Sequence, residues 1–203
     1  MEKPVLSREQ AMELLETFHL SGKVIILGIR GFFDPPEGNK HGVYDDALFI
    51  ITPDACEGYN GNTDPSVDRE GIAVLKPGAY TYRKGLHGLH HLNLDNPNDK
   101  KIYDSLIRTG EDLPPVPGKV IPYWAFRQAG DVTIFREGEG EYTDSPEHRF
   151  WIDIHCGGEW TTSSEGCQTV VKEQWQEFRT FGFEAMEVHQ EEEIAYVLIA
   201  KVS

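Results

Sequence analysis

The chain has 203 residues, with 19 Lys plus Arg against 34 Asp plus Glu, a formal net charge of −15, and 39% hydrophobic residues. That length suits one globular domain with a sizeable core, and an apolar fraction this high excludes a disordered chain. The acid excess excludes a polyanion partner such as nucleic acid, which needs clustered Lys and Arg, and the longest apolar runs, such as 24–27 and 195–200, fall far short of the roughly 20 residues that span a bilayer.

In chain order, Ser7 and Gln10 have the spacing of a capping box, and Ala11, Leu14, Leu15 and Phe18 follow at helical intervals. The spacing predicts a helix over 7–22, closed by Gly22 and lying on the body by one face. Before it, Met1-Glu2-Lys3-Pro4 carries no apolar targeting region, so classical export is not expected. Strands are predicted at 23–33 and 47–52, split by a Pro- and Gly-containing loop at 34–39. A turn-rich stretch at 58–65 precedes a strand at 72–75, the turn Lys76-Pro77-Gly78 and a strand at 79–83, which together read as a hairpin. Residues 85–122 hold most of the Pro and Asn and one helical patch at 100–108, an irregular excursion or lid over the body. A strand at 132–136 and a charged loop at 137–149 follow.

The next strand, 150–155, has an informative parity: Phe150, Ile152 and Ile154 take one face while Trp151, Asp153 and His155 take the other. After a loop at 157–166, Val171, Trp175 and Phe178 mark a helix capped near Gly182, and 193–202 is a closing strand. The pattern is one β-rich α+β domain with a mixed β-sheet or sandwich core and a few helices.

Chemistry concentrates in the segment from His155 to Cys167. A histidine at the end of a strand is held by the sheet, and a cysteine 12 positions later follows a small-residue loop just before a predicted helix. An imidazole and helix N-terminal N–H groups lower a thiol pKa from about 8.5, so the pair suits a nucleophile and its base. Gly166, lacking a Cβ, lets backbone N–H groups near Cys167 converge as an oxyanion hole requires. The three cysteines, Cys56, Cys156 and Cys167, do not form a disulfide framework. Cys156 has the parity of Ile154 and reads as a buried thiol, although a bond between Cys156 and Cys167 would silence the nucleophile.

At these residues the sequence resembles the L,D-transpeptidase catalytic domain family, cysteine enzymes that remodel bacterial peptidoglycan. The family pattern of a histidine, a glycine-containing loop and Ser-x-Gly-Cys stands here as His155, Gly157-Gly158 and Ser164-Glu165-Gly166-Cys167, and the upstream Pro-x-Gly hairpin has a shortened echo in Lys76-Pro77-Gly78-Ala79-Tyr80. The likeness covers 71–182, about half of the chain. It implies an L,D-transpeptidase-like fold, with Cys167 as nucleophile, His155 as base, the backbone at Gly166 and Cys167 as part of the oxyanion hole, and Ser164 among the catalytic residues. Tyr80, His87, Trp160, Gln168 and Thr169 would meet substrate, and no cofactor is called for. The reaction implied is attack on the L,D bond of stem tetrapeptides through an acyl-thioenzyme, which water resolves as an L,D-carboxypeptidase and an amine as a transpeptidase.

Three departures bear on this. The His-to-Cys loop is short, as in carboxypeptidase-like and effector-like branches. Gln168-Thr169-Val170 stands where the family has Ile-Arg/Asn-Met, so substrate carboxylate recognition falls to Arg83, Arg127 or Arg149. The missing export signal fits a phage endolysin released by lysis, or an effector with a dedicated secretion machine and an immunity protein, acting at the periplasm or cell wall. Two other readings compete. His87, His90 and His91, with Asp153 and His155, could serve a zinc peptidase, and the scaffold could be a non-catalytic wall-binding or immunity module.

Overall fold

A computed structural model describes residues 1–33, 40–67, 70–136, 139–147 and 151–200. The capping box forms as read: Ser7 Oγ accepts from Gln10 N at 3.2 Å, and Gln10 Oε1 accepts from Ser7 N at 2.9 Å. The helix it opens, α1 (Arg8–Leu15), stops well short of Gly22. Ala11 and Leu15 bury in one cluster with Phe49, Ile51 and Val197, and Phe18 and Leu20 pack against that cluster from beyond the end of the helix.

Strands β1 (Ile25–Arg30), β2 (Asp46–Ile51) and β3 (Cys56–Asn62) follow. Strand β2 is buried at every position because both of its faces are covered. Leu48 and Ile50 join the larger core, while Ala47, Phe49 and Ile51 join the cluster under α1. Strand β3 falls in the stretch that its Gly and Asn content marks as turns. Tertiary pairing overrides that signal: Gln174 accepts from Asn60 N and donates to Asn60 Oδ1, both at 2.8 Å.

Strands β4 (Ala73–Leu75) and β5 (Gly78–His87) do not form the expected hairpin. The chain turns at Lys76 and Pro77 into a different sheet, so β4 pairs with β7 while β5 pairs with β11 and β6. The excursion contains a 3-10 turn, Leu89–His91, and α2 (Pro97–Thr109), which Asn96 caps and Gly110 ends in a left-handed conformation. Then come β6 (Tyr123–Gln128), β7 (Val132–Arg136), β8 (Gly140–Asp144), β9 (Ile154–Cys156), β10 (Gln168–Val170), α3 (Lys172–His189) and β11 (Glu193–Ala200). Strands β6, β8 and β10 were not anticipated. Phe150, Arg149 and Val202 lie outside the described residues.

The protein is a β-rich α+β domain. Eight strands close in the order β1-β11-β5-β6-β9-β10-β3-β2, with β2 returning to β1, and β4-β7-β8 form a small sheet beside them. Helix α3 sets Phe178 edge-on to Tyr59 and Phe126, with ring centres 5.2 and 5.6 Å apart. It runs straight through Gly182 rather than ending there. A Cβ at Gly182 would meet the Phe126 ring at 2.6 Å, so this glycine serves close approach of the helix, not a cap. Among the described residues no helix is long and apolar enough to cross a membrane.

Candidate functional site

The strand expected at 150–155 is shorter than read, since β9 begins at Ile154 and Trp151 is left-handed, yet the residues of 151–155 still alternate between core and cleft. Ile152 and Ile154 enter the larger core, while Trp151, Asp153 and His155 line a cleft of about 1030 Å³ that Cys167, His87 and Arg127 also line. The chain there is clamped from inside the barrel. Tyr82 Oη donates to Ile152 O at 2.5 Å, Ile152 N donates to Gln128 Oε1 at 2.9 Å, and Gln168 N donates to Asp153 O at 2.8 Å.

Trp151 adopts a left-handed conformation, φ 59°, which costs a non-glycine residue about 1–3 kcal/mol and persists only where the surroundings enforce it. Here the Cys167 thiol donates to its carbonyl at 3.3 Å and accepts from Asp153 N at 3.4 Å. The thiol therefore makes its hydrogen bonds to backbone, and none to an imidazole is found among the described residues. Burial, and after it the Asp153 carboxylate, pushes the thiol up to about 12. This reverses the expected depression. The helix N-terminus that was to supply it is remote, because β10 intervenes and α3 begins only at Lys172.

His155 is buried, 6% exposed, and its Nδ1 donates to Cys156 O at 2.8 Å. Burial first, then the neighbouring His87, holds its pKa down at about 4, so the ring is neutral near pH 7. His87, at the end of β5, stacks on it with ring centres 4.2 Å apart and planes 17° from parallel. The Nδ1 of His87 lies 2.9 Å from Asp153 Oδ2, and Arg127 Nη1 lies 3.1 Å from the same oxygen. Arg127 also donates to Leu86 O at 3.0 Å and stacks on Trp151 with its guanidinium carbon 4.3 Å from the ring centre. Arg83 stands opposite Arg127 in the β5–β6 register, exposed and outside the cleft lining.

The loop before the thiol is built by Ser164 and Gly166. Ser164 Oγ accepts from Gly166 N at 3.0 Å and donates to Cys167 O at 2.6 Å, while Ser66 Oγ accepts from Ser164 N at 2.5 Å. Ser164 shapes the turn. Gly166 has φ 153°, and a Cβ there would meet Ala73 O at 2.8 Å, so the position is reserved for glycine. Because its N–H is bonded to Ser164, Gly166 is not a free oxyanion donor.

The remaining sequence-predicted residues are dispersed. Tyr80 packs against the larger core and donates to Lys76 O at 2.6 Å, away from the cleft lining. Trp160 is 91% exposed and does not line the cleft. Gln168 is buried, donating to Gly166 O at 3.1 Å and accepting from Tyr196 Oη at 2.9 Å. Thr169 is buried opposite His155 in the β9–β10 register, and its Oγ1 has no hydrogen-bond partner among the described residues. Cys156 packs against the core with its thiol pushed up to about 11 by burial, and all three cysteines are free.

His90 and His91 line the cleft mouth. Even so, no group of three or more His, Cys, Asp or Glu side chains that could hold a metal ion occurs among the described residues. A second hollow of about 880 Å³, between α3 and the β5–β6 strands, holds Lys84 between Trp124 and Phe183 and contains none of the predicted site residues.

Asp153 and Arg127 are the cleft residues that sequence reasoning undervalued, one read as a metal ligand and the other as one of three candidate arginines. The parity of 151–155 could have singled out Asp153. Nothing local marks Arg127, whose place depends on the β5–β6 register. Compared with known proteins, the chain matches no family model, no curated protein and no solved structure.

Proposed function

We propose that the chain is a cysteine-dependent acyl-transfer enzyme of the L,D type, acting on peptidoglycan stem tetrapeptides. The observation that carries this reading is the Cys167 thiol, held between Trp151 O and Asp153 N in a cleft that it shares with two stacked imidazoles. The substrate class rests on the resemblance of His155, Gly157-Gly158 and Ser164-Glu165-Gly166-Cys167 to the L,D-transpeptidase pattern. Delivery by lysis or by a dedicated secretion machine to the periplasm or cell wall belongs to the same reading.

Cys167 attacks the carbonyl carbon of the third-position diamino acid. The terminal D-amino acid departs, and an acyl-thioenzyme remains for water or an amine to resolve. With the thiol near 12 and His155 near 4, a resting thiolate–imidazolium pair is disfavoured. The thiol proton therefore leaves as the carbon–sulfur bond forms, with His155 as general base.

A second reading, a non-catalytic wall-binding or immunity-type module, draws on the same thiol shift and on the engaged Gly166 N–H, since both describe a quiet cysteine. Mass spectrometry of muropeptides bearing tetrapeptide stems, incubated with wild type and Cys167→Ala, separates the two. Loss of terminal D-alanine by wild type alone, or an acyl adduct on Cys167, supports the enzyme. Neither product nor adduct leaves the binding module.

A further inference from the structure

His87 and His155 stack on each other, yet their surroundings differ. The Nδ1 of His87 faces a carboxylate at 2.9 Å. A carboxylate only accepts, so Nδ1 carries a hydrogen and Nε2 is the ring nitrogen left to exchange a proton with an incoming group. The Nδ1 of His155 faces the Cys156 carbonyl, which orients the ring but supplies no full charge to hold an imidazolium.

Asp153 is buried, with its side chain 1% exposed, and is fixed from three sides. Arg127 meets Oδ2 at 3.1 Å, Gln128 N donates to Oδ1 at 3.3 Å, and its own N–H meets Cys167 Sγ at 3.4 Å. The His87 side chain is 24% exposed, so water reaches it in the cleft, whereas His155 is covered. Among the described residues, the other ionisable groups beside the two rings or lining their cleft are Tyr123, His90, His91, Cys156, Glu165 and Cys167. Arg127 tempers the Asp153 charge without cancelling its hydrogen bond to His87. An accessible imidazole, oriented by a buried carboxylate beside the nucleophile, is what activation of an incoming water requires.

Resting on the acyl-transfer reading above, we infer that His87, oriented by Asp153, is the base that brings water to the acyl-enzyme on Cys167, which makes hydrolysis the principal outcome. The water oxygen bonds to the thioester carbonyl carbon as its proton passes to His87 Nε2. The tetrahedral intermediate collapses with cleavage of the carbon–sulfur bond, and the electron pair stays on sulfur. The imidazolium proton then returns to the thiolate, so one thioester and one water give one carboxylic acid and the free thiol. His155 serves the first half of the cycle and His87 the second. Asp153 is a positioning residue, acting through His87.

The test uses the full chain with p-nitrophenyl acetate, following nitrophenol release and intact-protein mass, with Cys167→Ala as control. Wild type turns over. In His87→Ala the acetyl adduct that forms on Cys167 clears roughly 10²–10⁴-fold more slowly. Free imidazole restores the rate, a response that a purely structural role would not show. Asp153→Asn slows clearance in the same direction, and His87→Gln repeats the result with side-chain size kept. An adduct that clears from both His87 variants at the wild-type rate, or a slow clearance that imidazole does not accelerate, overturns the role of His87 alone. Absence of any adduct on Cys167 in wild type and in both His87 variants, with nitrophenol release unchanged in Cys167→Ala, removes the acyl-enzyme and both readings with it.

Discussion

In the resting protein Cys167 should be a slow thiol, and the size of the effect follows from its position. With its pKa pushed up to about 12, roughly one molecule in 10⁴ holds a thiolate at pH 8, against about one in four for an ordinary thiol near 8.5. That lowers the reactive fraction by on the order of 10³. The more basic thiolate is also the better nucleophile. At a Brønsted slope of about 0.4–0.5 this recovers roughly 40-fold, leaving exchange about 50-fold slower than for an unfolded cysteine. The assay is exchange with the neutral disulfide 4,4′-dithiodipyridine in a Cys56→Ser, Cys156→Ser background, read by absorbance from pH 7 to 10, native and in urea. The native rate should climb about tenfold per pH unit with no plateau, and urea should erase the deficit at pH 8. A plateau below pH 9, or native exchange as fast as in urea, would mean that Cys167 rests as a thiolate. The concerted proton transfer proposed above would then be wrong.

Two buried groups should also oppose each other in the pH dependence of stability. Burial pushes Asp46 up to about 7, so between pH 4 and 6.5 the folded state binds the extra proton and stability falls as pH rises. His155, held at about 4, leaves the unfolded state with the extra proton over the same window, so its contribution falls as pH drops. Each slope is about 1.4 kcal/mol per pH unit; urea titrations of wild type should be nearly flat from pH 4 to 6.5, and Asp46→Asn should unmask a loss of about 3 kcal/mol toward acid. Phe178→Ala, which empties the contact between α3 and the Tyr59 and Phe126 rings, should cost about 3–5 kcal/mol in urea unfolding. Gly166→Ala should leave global stability within about 3 kcal/mol of wild type, since one strained position is affected, yet abolish labelling of Cys167 by stem peptides. A Gly166→Ala variant that labels normally would show that the loop tolerates a side chain.

Legibility from sequence followed the range of the interactions. The α1 cap was readable because Ser7 and Gln10 settle it between themselves. The two faces of 151–155 were readable from alternation, although the strand itself starts only at Ile154 and the left-handed Trp151 was hidden. Strand β3 was hidden by its Gly and Asn residues, which are held in a strand by ladders to β2 and β10 and by Gln174 on α3, which pairs Asn60. The β4–β5 hairpin failed because a Pro-Gly turn specifies a change of direction and says nothing about which strand lies alongside. The same limit applied at the site. His155 and Cys167 were found from their own neighbours in sequence, but the partners that set their chemistry, Asp153 and Arg127, arrive through register and through a left-handed Trp151. The direction of the thiol shift was misread because burial, a collective property of the closed sheet, outweighs a helix end that the short β10 keeps at a distance.

Two tyrosines inside the barrel act as tethers for the two halves of the site. Tyr82 grips the Ile152 carbonyl, and Tyr196 reaches the Gly166 carbonyl through Gln168. Both rings are fully buried and meet edge to face, with centres 5.3 Å apart. Neither the Trp151–Asp153 segment nor the Gly166–Gln168 segment can therefore peel away without opening the barrel itself. The amide hydrogens of Ile152 and Gln168 should exchange only through global unfolding. The cleft floor is consequently a fixed mould, which a ligand must match as it stands.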